Sequence, residues 1–535
     1  MVGVPGRSKG CSTCRRRKKK CDLLQPICGN CIKGKHECGG YGRDMIVIQM
    51  DGKGKGAYNA PDTKRTPPLS RAGTPSSRLS SPRLSPSDVR LRDLNRTSNE
   101  MECFEAFWEV FLPKDTRGIT PTPWFDATNN YITKSETMRC ALLALSTSKV
   151  GRAKKDKRLE QRGIELYGKT LGLLGKELRL ASRRKCLGIL NSCILLALYE
   201  QLNDCGNPAI NWQRHVKGMT DLMMVYTPES FAADEDIDAH AIFLEARYHA
   251  ILSSILDRRV NILCTSEWMT LPWSNQRKNI RHSVLDILAQ VPGMLAEVQI
   301  LAGAEKIQDG WEKIQMLKQR FWGLESQLHT WFQNYIDSVS ELPQPADLQL
   351  LYDARDDSSL HVQLPDMLNR YDRNSLYPLS IYWICCTMVY GNMVHFYKKF
   401  QPVSADEVSQ LNSSKFDVVK YAIALARCSR CFLGDDLSIA CWLSTAHPNM
   451  CVTRVLQGCS ELRFSDNQTD VDALGQDLED IRLTSGFQWS NAWTQGFMDL
   501  EDQMFSWGGM AAAPAFDGEF GPEISWTYEN EGAVY

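Results

Sequence analysis

From about Met101 to Phe464, apolar residues recur at spacings of three and four. Leu187, Leu190, Ile194 and Leu198 fall on one face if that stretch is helical. Similar patterns run through Cys140–Ser148, Ile242–Leu256 and Val418–Leu433, separated by loops that contain Pro and Gly. No alternation of strand-like and helix-like segments is present. A mainly α, all-helical domain over residues 97–482 is therefore predicted. The polar stretch Glu341–Asn374 reads as a long loop or insertion within it.

The segments on either side lack this texture. Residues 44–96 contain GKGKG at Gly52–Gly56, then a stretch rich in Ser, Pro and Arg with hardly any apolar run. They read as a disordered linker. Thr66-Pro67, Thr74-Pro75, Ser81-Pro82 and Ser85-Pro86 fit either proline-directed phosphorylation or a composition that keeps the linker open. After Arg482 there is no Lys or Arg. The last 39 residues hold eight Asp/Glu interleaved with aromatics such as Phe505, Trp507 and Trp526. Residues 483–535 fit a disordered activation segment that recruits a coactivator, or an acidic solubilising tail.

Composition adds one asymmetry. The 535 residues are 43% hydrophobic and 23% charged, normal for a chain that buries large cores. The net charge of −1 hides a basic head: residues 1–96 carry 21 Lys/Arg against 7 Asp/Glu, a net +14, which leaves −15 for the rest. A basic head on an acidic body points to a polyanionic partner. Ser375–Tyr397 has no Asp, Glu, Lys or Arg and the length to span a bilayer. It also holds Pro378, Gly391, Asn392 and His395, so it reads as a buried core helix and no membrane partner is expected.

There are 19 cysteines, and MVGVPGRSKGC lacks an apolar core before the first of them, so no secretory leader is expected. Thiols then stay reduced, and regularly spaced ones read as metal ligands. Residues 1–43 hold Cys11-x2-Cys14-x6-Cys21-x6-Cys28-x2-Cys31-x6-Cys38, in which the unit C-x2-C-x6-C occurs twice, seventeen residues apart. Tetrahedral zinc takes four ligands, so two Zn2+ ions need eight positions where six cysteines supply six. The count closes if two cysteines bridge, and the duplication nominates Cys11 and Cys28. A single zinc ribbon would leave Cys21 and Cys38 unused, His36 in place of Cys38 would break the duplication, and a disulfide framework would need an oxidising compartment. So small a unit cannot bury enough apolar surface to fold unaided, and metal binding is expected to drive its folding.

These spacings, the run RRRKKK between the second and third cysteines, Asp22 and Pro26 resemble the fungal binuclear zinc cluster family. The family implies two short helices, bridging by the first and fourth cysteines, and a nuclear DNA-binding regulator. It also implies that the tip of the first helix reads a CGG triplet in the major groove. By position, Lys18, with Arg17 beside it, would meet guanine edges. Arg15 and Lys20 would hold phosphates, Arg16 belongs to the same cationic run, and phosphate contacts would supply most of the affinity. The run also fits a nuclear localisation signal. Residues 44–100 show no sustained heptad, so monomeric binding and homodimerisation through the helical domain both stay open.

Trp212, His215 and Gly218, then Arg247 and Arg258–Trp273, resemble the fungal-specific transcription factor domain, which implies a helical regulatory domain that senses a metabolite or receives a partner. Read locally, Trp212, Trp273 and His215 are core residues. Cys428 and Cys431 form a lone C-x2-C pair and read as buried. No H-E-x-x-H, P-loop or G-x-S-x-G occurs, so no enzymatic activity is expected. The sequence thus describes a sequence-specific transcription regulator, with the acidic tail favouring activation. The rivals are a non-sequence-specific nucleic-acid scaffold and a metabolite-binding protein with a structural zinc knuckle.

Overall fold

The computed structural model divides the chain into two units, Met1–Arg83 and Leu84–Tyr535. In the first it describes residues 11, 13, 14, 17, 19–22, 28–34, 36 and 38. In the second it describes residues 86–112, 123–180, 186–203, 208–233, 236–302, 311–340, 373–399, 416–433, 439–462 and 468–483. The expectations for residues 44–85 and for the acidic tail from 484 lie outside the described residues.

Among the described residues there are helices and turns but no strand, as the apolar spacing predicts. The first unit contributes α1 (Gly29–Lys33). In the second, α2 (Pro86–Phe111), α3 (Pro123–Tyr131), α4 (Glu136–Ala153), α5 (Lys157–Leu178), α6 (Leu187–Leu202) and α7 (Pro208–Met223) come first. They are followed by α8 (Ile237–Asp257), α9 (Ile280–Ala302), α10 (Trp311–Ser340), α11 (Arg373–Lys399), α12 (Val418–Arg430), α13 (Ala446–Leu462) and α14 (Gln468–Arg482).

The linker predicted to run to residue 96 is shorter than expected, because α2 already begins at Pro86. The signal was local: Ser85 precedes a proline at the first helical position, and Asp88 falls in the first turn. Proline is pre-organised there, and an acidic residue favours the positive end of the helix. The Glu341–Asn374 stretch gives up its last two residues to α11, and residues 341–372 lie outside the described residues.

One continuous core runs through the second unit, with Trp212, Trp383, Tyr199, Phe243 and Phe321 fully buried. In α6, Leu190, Ile194 and Leu198 of the predicted face are buried and Leu187 is half-buried, and nearly every other side chain is buried too, including Asn191 and Glu200. A helix apolar on all sides belongs in the centre of a bundle. Its polar residues are tied: Trp124 Nε1 donates to Asn191 Oδ1 at 2.7 Å, and Asn191 Nδ2 donates to Thr128 Oγ1 at 3.1 Å. α4 and α5 approach closely because Gly163 has no side chain; a Cβ there would lie 2.9 Å from the Ser148 backbone.

The charge-free stretch Ser375–Tyr397 forms most of α11, and its side chains from Leu376 to Cys386 are all buried in this core. Among the described residues one helix has the length and apolarity to cross a membrane: Ile280–Leu301 in α9, with mean hydropathy 1.5, is 67% buried within the same unit. Cys428 and Cys431 are both core residues, and Cys428 Sγ lies 3.8 Å from the Leu376 carbonyl oxygen.

Candidate metal centre and helical regulatory unit

The duplicated sequence produces a duplicated local geometry. Cys14 N donates to Cys11 Sγ at 3.3 Å, and Cys31 N donates to Cys28 Sγ at 3.3 Å. In each unit the first cysteine thus caps the turn that carries the second. The Cys28 side chain acts as the N-cap of α1. A sulfur there satisfies one of the backbone donors that a helix start leaves over. In the first unit Arg17 N donates to Thr13 O at 3.0 Å, which closes one helical turn after Cys14.

Across the two units the thiols converge. Cys11, Cys14, Cys21 and Cys28 lie within 4.8 Å of one another, and so do Cys11, Cys28, Cys31 and Cys38. The two groups share Cys11 and Cys28, the pair that the internal symmetry nominates. Cys11, Cys14, Cys28 and Cys31 are buried and form a small core of their own, with Cys21 and Cys38 packed against it. None of the described cysteines is in a disulfide.

Four sulfurs around a tetrahedral zinc at about 2.3 Å stand about 3.8 Å apart. Cys11 and Cys28 are 3.6 Å apart, Cys14 and Cys28 3.6 Å, and Cys11 and Cys31 3.8 Å. The donor set fits two zinc ions in number, sulfur chemistry and spacing. Burial pushes Cys14 up to about 12 and raises Cys28 and Cys31. Without metal these groups hold their protons, so loading the site releases protons.

Two polar ties that spacing alone does not reveal join the units. Asp22 Oδ1 accepts from Gly29 N at 3.1 Å, and Asn30 Nδ2 donates to the Lys20 carbonyl oxygen at 2.7 Å. The exit of the cationic run is thereby anchored to α1. Arg17, Lys19 and Lys20 are exposed beside the sulfur core. Arg15, Arg16 and Lys18 lie outside the described residues.

In the helical unit, Trp212 is fully buried and His215 Nε2 is 2.9 Å from the Tyr167 hydroxyl. Burial, with a smaller contribution from Arg214, pulls His215 down to about 4. The same Tyr167 hydroxyl donates to Glu200 Oε1 at 2.5 Å. Trp273 lies between two cations, with Arg247 Cζ 4.9 Å and Lys278 Nζ 4.1 Å from its ring centroid. Arg247 and Lys278 both pair with Asp286. The Arg258–Trp273 motif therefore closes onto the α8–α9 packing through stacking and charge.

Four histidines whose pKa burial lowers, His215, His240, His282 and His447, make this unit acid-sensitive. Burial holds His447 down to about 3, and burial with nearby Arg281 and Arg247 holds His282 well below its ordinary value. A base whose folded pKa is depressed takes up a proton more readily when unfolded, so stability falls as pH drops through about 6.5. Urea midpoints measured from pH 7 to pH 5 are expected to decline, by on the order of 1 kcal/mol per histidine per pH unit below 6.5. The variant His447→Gln should flatten that decline; an unchanged slope would remove His447 from the account.

A paired-thiol metal centre and a separate all-helical unit define a class of zinc cluster proteins. Residues 9–44 match the fungal Zn(2)-Cys(6) binuclear cluster domain, which binds two zinc ions. Residues 114–390, more than half of the chain, match the fungal specific transcription factor domain. The chain belongs to the fungal-specific transcription factor family. It is similar over 56 residues to sterol uptake control protein 2 of Candida albicans, at 43% identity, covering 10% of this chain and 8% of that protein. An uncharacterised transcriptional regulatory protein of Schizosaccharomyces pombe is 62% identical over 32 residues, covering 6% of each chain. Transcriptional regulatory protein moc3 of the same yeast is 49% identical over 43 residues, covering 8% of each. The matches span less than a tenth of these relatives' lengths. No solved structure gives a significant match.

Proposed function

We propose that this chain is a nuclear, sequence-specific DNA-binding transcription regulator without enzymatic activity. Its six N-terminal cysteines would hold two zinc ions, with Cys11 and Cys28 bridging and Cys14, Cys21, Cys31 and Cys38 as terminal ligands. The observation that carries this reading is the pair of four-thiol groups that share Cys11 and Cys28 beside exposed Arg17, Lys19 and Lys20. The metal supplies folding free energy and a rigid frame. The chain's own residues then do the recognition. Lys18 and Arg17 donate to the O6 and N7 acceptors of guanine in a CGG triplet, while Arg15, Arg16 and Lys20 neutralise phosphates.

The Asn30 tie to the Lys20 carbonyl supports this assignment, since it fixes the chain direction where the cationic run leaves the sulfur core. Residues 97–482 would form the regulatory part, and residues 483–535 the segment that meets a coactivator, which favours activation. Homodimerisation would pass through the helical unit rather than a coiled coil.

Competition binding at fixed salt tests the reading, with CGG-containing duplex against scrambled duplex. Lys18→Ala is expected to lose about 1–3 kcal/mol of discrimination for the triplet. Equal weakening on every duplex would make Lys18 a phosphate contact. Equal affinity of the unmodified protein for both duplexes would leave a non-specific nucleic-acid scaffold.

A further inference from the structure

Among its described residues the helical unit carries a concentrated basic feature that the cluster does not explain. Residues 152–162 hold six Lys/Arg and two Asp/Glu, in a body whose residues 97–535 sum to −15. They form the tip of the α4–α5 hairpin, and Arg152, Lys154, Lys155, Lys157, Arg158 and Arg162 are all exposed there. The two acidic residues are already engaged. Asp156 caps α5, with Oδ1 accepting from Arg158 N at 2.8 Å and Leu159 N at 3.4 Å. Glu160 pairs with Lys157 at 2.8 Å. Among the described residues, no ion pair is formed by Lys154, Lys155 or Arg158.

The tip is rigidly built. Lys154 N donates to Val150 O at 2.9 Å, Lys155 N to Arg152 O at 3.1 Å and Asp156 N to Gly151 O at 2.8 Å. Lys155 takes a left-handed backbone conformation with φ 54, uncommon for a residue with a side chain. A Cβ at Gly151 would lie 2.6 Å from Glu160 N, so the two helices meet as closely as backbone allows. Cations fixed on such a turn bind without first paying the entropy of ordering a loop.

We propose that this hairpin tip is a second, sequence-independent DNA contact that binds backbone phosphates flanking the site held by the zinc cluster. The proposal rests on the DNA-binding function argued above. Phosphates spaced along a duplex complement cations held on one turn whose two acidic neighbours are already engaged, so the tip is where the helical unit can meet a DNA backbone. The 47 residues between Cys38 and Pro86 make that contact intramolecular once the cluster is bound. At no more than about 3.3–3.6 Å per residue, their reach is bounded on the order of 160 Å. Recognition as an extended peptide by an acidic receptor groove fits less well, because Lys157 and Arg158 belong to the first turn of α5, which would have to unwind.

The test uses the full chain and the variant Lys154→Gln/Lys155→Gln/Arg158→Gln, with unchanged far-UV circular dichroism as the folding control. Each binds a duplex of about 14 base pairs holding the triplet alone and one of about 50 base pairs with random flanks, between about 50 and 200 mM salt. Three phosphate contacts contribute about 2.7 to the slope of log affinity against log salt, so the long-duplex advantage of the unmodified protein should shrink about 40-fold over that range. The variant should match the unmodified protein on the short duplex and lose the long-duplex advantage. Equal salt slopes for both proteins on the long duplex would overturn the proposal. So would a variant that binds both duplexes normally but fails to accumulate in the nucleus, which would make the tip an import signal. If the unmodified protein shows no preference for the triplet on the short duplex, the function itself fails, a result distinct from either.

Discussion

Stripping zinc from the full-length protein with a strong chelator is expected to release two ions per chain, abolish triplet-specific binding and leave most of the helical signal intact. The two outcomes separate because the structure has two cores. Among the described residues the first consists of cysteine side chains, with Cys11, Cys14, Cys28 and Cys31 buried and Cys21 and Cys38 packed against them. Structural zinc contributes about 10–16 kcal/mol in comparably small metal-folded units, far more than so few buried side chains can replace. The second core runs from Phe104 to Ile481 and contains none of those cysteines. Metal analysis, anisotropy with labelled duplex and circular dichroism on one sample read all three effects.

The shared thiols sharpen that expectation. Cys11 belongs to both four-sulfur groups, whereas Cys38 belongs to one. Cys11→Ala should therefore remove a ligand from both metals and drop the zinc content towards zero. Cys38→Ala should remove a ligand from one, leaving about one ion per chain with weakened retention of the second. Equal zinc content in the two variants, each still folded, would show that Cys11 does not bridge.

Asp286→Ala is expected to destabilise the helical unit by about 3–5 kcal/mol, read as a shift in the urea midpoint at constant slope. Its carboxylate answers both Arg247, whose side chain is fully buried, and Lys278, at 2.5 Å from Asp286 Oδ2. Burial lowers the pKa of Arg247 and of Lys278, and the Asp286 charge offsets part of that in each. Deleting the carboxylate leaves two cations against Trp273 with no counter-charge, although Arg247 Nη1 still donates to the His282 carbonyl oxygen at 2.9 Å. Asp286→Asn keeps an acceptor but not the charge and should fall between the two. A loss below about 1 kcal/mol for Asp286→Ala would reduce the pair to the level of a solvent-exposed salt bridge.

Such a change would also report on regulation. The Arg258–Trp273 segment reaches its place through this charge centre, where α8 and α9 meet. Loss of Asp286 should therefore loosen the segment, with little effect on how the zinc cluster binds an isolated triplet. Measuring DNA affinity on a short duplex alongside stability separates the two.

Some of this was legible from the sequence because the determining interactions are local. The C-x2-C-x6-C repeat fixes two identical turns through contacts three residues apart, and the structure shows the same Sγ-capped amide at Cys11 and at Cys28. Helical spacing around Leu187–Leu198, Ile242–Leu256 and Val418–Leu433 likewise records a period that each segment sets by itself. The start of α2 at Pro86 was also written locally, in Ser85, Pro86 and Asp88, but surrounding Ser, Pro and Arg masked it as linker.

The remainder depends on residues far apart in the chain. Periodicity placed Leu187, Leu190, Ile194 and Leu198 on one face, yet only packing shows that α6 is buried on every side. No spacing rule joins Asn30 to Lys20, Arg247 to Asp286 or Glu200 to Tyr167, because side-chain partners at long separation are chosen by how helices cross. The basic residues of 152–162 were visible as letters; their convergence on one tight turn, with both acids occupied, was decided by the approach of α4 to α5 at Gly151 and Gly163. The sequence by itself determined the metal chemistry and the helical class, since both follow from spacing along one chain segment. Tertiary structure decided which charges are buried, which are paired and which remain available to a duplex, since those depend on what each side chain meets across the fold.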